Sequence, residues 1–314
     1  MTTLSRRTAL AGLGLTLAAP AILRPGTAAA KAKMMGPDRP THFRFPVGKF
    51  EVTTIFDGRV QLKGPHPIFG QDQTPGDVAK LAEANNLPSD RMEIGFTPTL
   101  VNTGKHLILF DTGNDATNRP TAGKLRERMK EAGYKASDVD IVVITHMHPD
   151  HIGGMRVDGK PAFPNARYVT SAREYDHWVG KAENELALKM VKPFAEEMTF
   201  IEDGGAVVSG VEAIAANGHT PGHNVYHVES EGERLLIVAD LANHYVMSLE
   251  RPDWHVKFDM DKEAAAQTRR TLLDMLAAEK MPFVGYHMPW PGIGYVEKSG
   301  DGYAYAPHSY QLLL

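Results

Sequence analysis

Apolar and polar positions fall into short blocks along this chain, and the blocks predict strands interleaved with helices. Short runs rich in Val, Ile, Leu and Phe, bounded by turn-forming residues, predict buried strands. These strands cover residues 50–56, 99–102, 106–110, 139–144, 167–170, 211–216, 235–239 and 281–286. Helical patterns cover residues 77–85, 122–132, 171–178, 181–195 with a break at Pro193, and 262–279 with Asp261 as the N-cap. We interpret the pattern as an α/β fold.

The segment 145–154 follows the strand at 139–144 and carries the residues of a metal site. His146, His148 and Asp150 alternate, so an extended backbone projects them to one side, and His151 breaks the alternation before two glycines. This spacing suits two neighbouring cations, the first held by His146 and His148 and the second by Asp150 and His151. The alternative is a solvated polar loop, which three histidines and an aspartate within six residues make a poor description.

Three more candidate ligands follow predicted strands elsewhere in the chain. His219 follows the strand at 211–216, Asp240 follows 235–239, and His287 follows 281–286. Open α/β sheets build their sites at the carboxyl ends of strands, so these side chains are expected to converge. A carboxylate has two oxygens and can bridge two cations, which is the role we expect of Asp240. The alternative for Asp240 is a plain turn residue at a strand end.

Two further residues are candidates for supporting the ligands rather than binding metal. His223 shares a tight Thr-Pro-Gly turn with His219, and we expect it to be a structural hydrogen-bonding partner, with a role as a second metal ligand on the turn as the alternative. Asp111 follows the strand at 106–110 and could orient a metal-bound histidine through its second ring nitrogen. An ordinary turn aspartate is an equally good interpretation of Asp111 on spacing alone.

Composition limits the chemistry of the site. The 314 residues include no cysteine, so any metal must be held by histidine and carboxylate. The first thirty residues carry three arginines and no acidic residue, so removing them lowers the formal net charge from −4 to −7. A mildly acidic chain is a poor match for a nucleic-acid backbone, and we expect no nucleic-acid partner.

Residues 1–30 are interpreted as a twin-arginine-type signal peptide. Arg6 and Arg7 precede an apolar run, and an Ala-x-Ala type cleavage site follows at 28–30. The alternative is a membrane anchor, but the run is short for a span and contains Gly and Pro, so no stable anchor is expected. We expect a flexible leader at 31–42, a single domain at 43–314, and a periplasmic or secreted protein.

Together these motifs resemble the metallo-β-lactamase superfamily, over roughly residues 43–310. The resemblance implies an αββα sandwich with two divalent metals at one sheet edge, zinc first, with cobalt or manganese as alternatives. It also implies a first metal held by His146, His148 and His219, a second held by Asp150, His151 and His287, and Asp240 as the bridge. Asp111 completes the motif set.

Within the superfamily, the chain resembles the methyl parathion hydrolase and lactonase group. Residues 95–102 and 286–294 carry this similarity. It implies a homodimer that hydrolyses lactones or esters, of the quorum-quenching or aryl lactonase type, with promiscuous phosphotriesterase activity. Alternatives are an organophosphate hydrolase, a thioester hydrolase or a β-lactamase of the same fold. A non-catalytic metal-binding protein is disfavoured by the complete set of seven ligands with a bridging carboxylate. Such a set is typical of a catalytic centre with an open coordination position, which metal binding alone does not need.

The expected mechanism gives Asp150 a second task, the transfer of a proton to the leaving group, while Asp240 holds both metals. Candidates for an apolar substrate wall are aromatic residues, namely Trp290, Phe69, Phe96 and Trp178. Ordinary core packing is the alternative for each of them. Residues 64–88 are rich in Pro and Gly and predict a long loop around the helix at 77–85, positioned to cover a site.

Overall fold

The structure is a computed structural model that describes residues 32–115, 117 and 121–313. The chain divides into two compact units, Met1–Arg39 and Pro40–Leu314. In the first unit only residues 32–39 are described, and their backbone is irregular. The predicted signal peptide at 1–30 lies outside the described residues. Among the described helices, none combines the length and apolar character needed to cross a bilayer.

The second unit contains eighteen described strands. In chain order they are β1 (His42–Val47), β2 (Phe50–Ile55), β3 (Gly58–Lys63), β4 (Arg91–Phe96), β5 (Thr99–Asn102), β6 (Leu107–Phe110), β7 (Ile141–Val143), β8 (Arg156–Val157), β9 (Lys160–Pro161), β10 (Arg167–Ser171), β11 (Met198–Ile201), β12 (Ala206–Val208), β13 (Val211–Ala215), β14 (Asn224–Ser230), β15 (Glu233–Ala239), β16 (Phe283–Gly285), β17 (Ile293–Ser299) and β18 (Gly302–Pro307).

The described α-helices are α1 (Pro75–Ala84), α2 (Leu125–Glu131), α3 (Pro149–Ile152), α4 (Ala172–Tyr175), α5 (Glu185–Met190), α6 (Met247–Glu250) and α7 (Lys262–Glu279). A π-helical turn covers Asp176–Lys181, and 3-10 turns cover Ala136–Asp138, Lys192–Glu197 and Tyr310–Leu313.

Two seven-stranded mixed sheets lie face to face. The first has the order β1-β2-β5-β6-β7-β10-β11, and the second has the order β12-β13-β14-β15-β16-β17-β18. Apolar side chains from both sheets, such as Val143 and Ile237, pack in one central cluster. The outer face of the first sheet packs on α2 and α5, and that of the second packs on α7. The predicted α/β class and αββα sandwich are therefore confirmed.

Some predicted elements change at their ends for local reasons. The helix predicted at 171–178 is α-helical only to Tyr175, and Ser171 makes no capping bond. The helix predicted at 181–195 shrinks to α5, because the Asn184 side chain caps its start and the 3-10 turn that contains Pro193 follows it. By contrast, α7 has the predicted bounds, and Asp261 accepts a hydrogen bond from the backbone N–H of Ala264.

The largest omission from the sequence analysis is a separate hairpin. Strands β3 and β4 pair antiparallel, from Gly58 with Phe96 to Lys63 with Arg91, and form a two-stranded sheet of their own. The predicted loop at 64–88 connects these two strands and contains α1, which Thr74 caps. The hairpin matters because one of its faces borders the site described next.

Candidate metal centre

The first group of candidate ligands consists of His146, His148, His219 and Asp240. Nε2 of His219 lies 3.2 Å from Nε2 of His146 and 2.9 Å from Nδ1 of His148. Oδ2 of Asp240 lies 3.2 Å from Nε2 of His219. Ligand nitrogens on a tetrahedral zinc ion lie roughly 3.3 Å apart, because each is about 2.0–2.1 Å from the metal. The four side chains therefore have the spacing of ligands to one cation.

A second group consists of Asp150, His151 and His287. Oδ2 of Asp150 lies 3.7 Å from Nε2 of His151 and 3.5 Å from Nε2 of His287. Asp150 and His151 belong to α3, which begins directly after His148. The backbone changes from extended to helical at this point. Neighbouring residues therefore belong to different groups, as the broken alternation of the sequence predicts.

Asp240 lies between the two groups. Its Oδ1 is 3.2 Å from Nε2 of His151, and its Oδ2 is 3.2 Å from Nε2 of both His219 and His287. One carboxylate thus contacts histidines of both groups at ligand spacing, which is the geometry expected of a bridge. The structure brings together all seven residues that the sequence analysis assigned to metal binding.

Asp111 orients histidines of both groups. Its Oδ2 accepts hydrogen bonds from Nδ1 of His151, at 2.7 Å, and from Oγ1 of Thr145, at 2.8 Å. The Thr145 hydroxyl in turn lies 3.1 Å from Nδ1 of His146, whose N–H donates to it. Because their Nδ1 atoms are engaged, His146 and His151 present Nε2 to the centre. Asp111 has a left-handed backbone (φ 61°), a conformation that aspartate tolerates better than most residues.

His219 is oriented by a buried pair that the sequence analysis missed. Its Nδ1 donates to Oδ1 of Asp259 at 2.8 Å, and Oδ2 of Asp259 accepts from Nη2 of Arg269 at 2.7 Å. Arg269 also donates through Nε to the carbonyl of Leu241, the residue after Asp240. The sequence feature that could have revealed this pair is Arg269, a charged residue at a buried position on the apolar face of α7.

His287 receives its support from the hairpin. Its Nδ1 donates to the carbonyl oxygen of Gly95 in β4, at 2.8 Å. Next to it, the Tyr286 hydroxyl donates to the carbonyl oxygen of Asp150 at 2.6 Å. The backbone of a segment distant in sequence thus sets the ring orientation of a candidate ligand. Because the acceptor is a backbone carbonyl, no residue pattern in the sequence predicts this contact.

His223 lies behind the first group and faces no candidate cation position. Its Nδ1 donates to the carbonyl of Ala216 at 3.0 Å, and its Nε2 accepts from the backbone N–H of Asp240 at 3.3 Å. Burial lowers the pKa of His223 to about 3, so the ring is neutral and both nitrogens are used. The structure places it as the hydrogen-bonding partner that the sequence analysis expected.

The donor set fits divalent cations. Nε2 of His151 and Oδ1 of Asp240 are buried, and neither has a hydrogen-bond partner among the described residues. Burial lowers the pKa of His148 to about 3, which keeps this imidazole in the neutral form that binds metal. Although burial opposes it, hydrogen bonds to Asp240 and Asp259 raise the pKa of His219 to about 9. Cations would satisfy the two orphaned atoms and replace the proton that His219 otherwise holds.

A cavity of about 390 Å³ opens beside the second group. Its polar lining comes from candidate ligands and Asn243, and its apolar lining comes largely from the inward face of the hairpin. The lining residues are Val60, Leu62, Ile94, Phe96, His148, Pro149, Asp150, Asp240, Asn243, Phe258 and His287. Among the described residues, no lysine or arginine belongs to this lining.

The predicted aromatic wall is partly corrected by this cavity. Phe96 lines it, whereas Trp178 is not among the lining residues and packs with its ring 5.7 Å from that of His148. Trp290 instead packs edge-on against Phe56, with ring centroids 5.4 Å apart, and does not line the cavity. Phe69 is buried in the separate apolar cluster around α1, where it packs as a core residue.

Comparison with protein families identifies the group to which this fold and ligand set belong. The family model of the metallo-beta-lactamase superfamily matches residues 97–287. The chain belongs to the metallo-beta-lactamase superfamily. The match contains every candidate ligand, but it begins after the β3–β4 hairpin, so the apolar wall of this superfamily member is largely outside the matched segment.

Curated relatives and solved structures agree with that placement. The chain is 27% identical to an N-acyl homoserine lactonase of Bacillus cereus over 152 residues, which are 48% of this chain and 57% of the relative. The aligned part thus spans little more than half of that lactonase. AidC, a dizinc quorum-quenching lactonase solved with a product, superposes with a TM-score of 0.79 at 27% identity, covering 86% of this chain and 98% of AidC. The hydrolase AbOPH superposes with a TM-score of 0.80 at 24% identity, covering 87% and 99%.

Proposed function

We propose that this protein is a dinuclear metal-dependent hydrolase of lactones and related carboxylic esters. The observation that carries the proposal is the position of Asp240, which contacts both ligand groups and also lines the apolar cavity. A ligand in the cavity therefore lies against both candidate cation positions at once. The homology to N-acyl homoserine lactonases makes N-acyl homoserine lactones the first substrates to test.

Two cations held here would activate a water molecule and polarise a carbonyl group. The protein contributes the positions and the proton transfers. Asp111 and Asp259 keep His151 and His219 in the tautomer that presents Nε2. Asp150 lines the cavity, so its carboxylate is available to take the proton that the attacking water releases and to deliver it to the leaving alkoxide when the ester bond breaks.

The walls of the cavity favour neutral, partly apolar substrates. Val60, Leu62, Ile94 and Phe96 line it from the hairpin, and Phe258 also belongs to the lining. An acyl chain or an alkyl ester buries apolar area against these residues, at about 25 cal/mol per Å².

Phosphotriester hydrolysis is proposed as a side activity, on the resemblance to the methyl parathion hydrolase group that residues 95–102 and 286–294 suggest. A phosphotriester is uncharged and tetrahedral at phosphorus, so it suits the same neutral cavity and needs the same activated water. This activity depends on the metal centre in the same way as lactone hydrolysis. It should therefore disappear and return together with lactonase activity.

The deciding experiment is a substrate panel on protein with measured metal content. The panel contains N-hexanoyl homoserine lactone, an aryl lactone, a phosphotriester, a thioester and a cephalosporin. We expect the highest kcat/KM on a lactone, loss of activity after chelation, and recovery with zinc, cobalt or manganese. Highest turnover of the thioester or cephalosporin would replace the proposed substrate class. Bound metal without turnover of any ester would favour a metal-binding protein instead.

We further propose that the protein is exported through its twin-arginine-type signal and acts as a homodimer. The paired arginines and the Ala-x-Ala site support export, and folded export would let the metal centre assemble in the cytoplasm. Cell fractionation of the wild type and of an Arg6→Lys, Arg7→Lys variant tests the export route. Light scattering of the purified protein tests the dimer.

A further inference from the structure

One buried carboxylate near the first ligand group has no part in the mechanism above. Glu174, at the start of the helical segment after β10, is fully buried. Its Oε1 accepts from the backbone N–H of Met147 at 2.9 Å and from Nε1 of Trp178 at 2.7 Å. Its Oε2 accepts from Oγ1 of Thr220 and from the backbone N–H of Gly222, both at 2.8 Å. The carboxylate therefore has four donors, two on each oxygen.

Three of these four donors, those of Met147, Thr220 and Gly222, belong to the two loops that carry the histidines of the first group. Met147 lies between His146 and His148, and Thr220 directly follows His219. The histidines on the two loops approach within 2.9 Å, from Nδ1 of His148 to Nε2 of His219. Glu174 accepts hydrogen bonds from both loops at once, so its carboxylate links them whether or not a cation lies between the histidines.

The close approach of Gly222 is a second, independent sign of the same link. A Cβ atom at Gly222 would lie 2.3 Å from the backbone nitrogen of Glu174 and 2.8 Å from its Cα. Gly222 does not have a positive φ, so the glycine is required by this contact and not by the turn. Because Gly222 has no side chain, the His219 loop packs directly against the helical segment that carries Glu174.

Trp178 connects the same carboxylate to the ring of His148. Its indole N–H is held by Glu174, and its ring lies edge-on to His148 with centroids 5.7 Å apart. Glu174 thereby restrains the backbone on both sides of the first group and one aromatic neighbour of a candidate ligand. Glu174 is fully buried at all of these contacts. If its carboxylate were removed, water could not replace it as the hydrogen-bond acceptor.

We propose that Glu174 is a positioning residue that holds the His146–His148 loop and the His219 loop at the separation needed for one cation. The proposal rests on the metal centre proposed above, but not on the identity of the substrate. It makes a selective prediction, because the second group, with Asp150, His151 and His287, has no contact with Glu174 among the described hydrogen bonds.

The test compares Glu174→Gln with Asp176→Asn, an isosteric change at an exposed carboxylate two residues along the same segment. A glutamine amide must turn its NH₂ toward either the Met147 or the Gly222 backbone N–H, which then loses its acceptor. We expect affinity at one of two cation positions to fall by about 10-fold or more, as is usual when a supporting partner of a ligand is lost. Asp176→Asn should bind both cations like the wild type.

Competition with a chromophoric chelator, with zinc as the probe, measures both affinities. Cobalt absorption spectra assign the weakened position by comparison with His148→Ala for the first group and His287→Ala for the second. Glu174→Gln should resemble His148→Ala in both measurements. The melting temperature of the metal-free variant provides a readout that does not depend on activity.

A second pair of variants protects the test if Glu174→Gln does not fold. Gly222→Ala should weaken the same cation position by separating the loop from Glu174, whereas Gly180→Ala, where an added methyl group meets nothing within 4 Å, should not. Wild-type affinities in Glu174→Gln would overturn the proposal, and so would equal weakening at both positions, which is the result of a general loss of stability. If the wild type itself binds fewer than two equivalents of zinc, the proposed metal centre fails first.

Discussion

The sheet edge that carries the candidate ligands and the β3–β4 hairpin face each other across one cavity. The sequence predicted the residues of the sheet edge, but it did not predict the hairpin. All seven candidate ligands lie between 146 and 287, inside the segment matched by the superfamily model. Four wall residues, Val60, Leu62, Ile94 and Phe96, lie before that segment, on a hairpin that the sequence analysis did not predict. Cation binding demands particular atoms, and so it restricts residue type. A wall demands only shape and apolarity, which many residues supply.

The comparison predicts that changes at the sheet edge abolish chemistry, whereas changes in the hairpin alter the choice of substrate. The largest effect is expected for Asp240→Ala, which removes the atoms shared by both groups. Metal content should fall below two equivalents, and kcat/KM should fall by at least about 10²-fold, the usual cost of losing one transition-state contact. Metal analysis and lactone kinetics check this. The exposed turn residue Asp301 supplies the control, Asp301→Ala. An active Asp240→Ala protein with two metals would remove the bridge from the mechanism.

A smaller loss is expected when only the support of the ligands changes. Asp111→Asn keeps a residue that tolerates the left-handed backbone, but the amide cannot accept from both His151 and Thr145 with the strength of a carboxylate. Metal affinity or activity should fall by about 10- to 100-fold. Isothermal titration with zinc and steady-state kinetics measure the two quantities. Unchanged affinity would mean that Asp111 serves only the turn.

In the hairpin, Ile94→Ala should separate substrate preference from metal binding. The change removes apolar surface from the cavity wall, so kcat/KM for N-hexanoyl homoserine lactone should fall by about 10-fold or more. Activity on a lactone without a side chain, and the metal content, should stay at wild-type levels. Gln61→Ala, exposed on the neighbouring strand of the same hairpin, is the matched control. Equal losses on both lactones would contradict a role for Ile94 in recognition.

The smallest effect on catalysis is expected at Trp290. Its ring packs against Phe56 and not against the cavity, so Trp290→Leu should change kcat/KM less than about twofold. The free energy of unfolding should fall by about 1 kcal/mol from the lost aromatic pair alone. Chemical denaturation and lactone kinetics together distinguish this from the wall role that the sequence suggested. A large rise in KM would restore that role.

The sequence by itself determined where the core strands lie along the chain in broad terms, the α7 helix with its Asp261 cap, and the identity of the residues that gather at the sheet edge. It could do so because periodicity and strand-end position are local, and because only histidine and carboxylate can hold a metal in a chain without cysteine. The converging positions of His146, His219, Asp240 and His287 then follow from the general geometry of α/β sheets.

Only the tertiary structure decided which polar residues support those ligands and which apolar residues face the substrate. Asp259 lies 40 positions from His219, Arg269 lies 10 positions from Asp259, and Glu174 lies 27 to 48 positions from its donors on the two histidine loops. Each resembles an ordinary charged residue in sequence. Phe96 and Trp290 are equally apolar, yet one lines the cavity and the other packs against Phe56. Burial and hydrogen-bond partners depend on packing between segments that are distant in sequence, so local sequence patterns do not predict them.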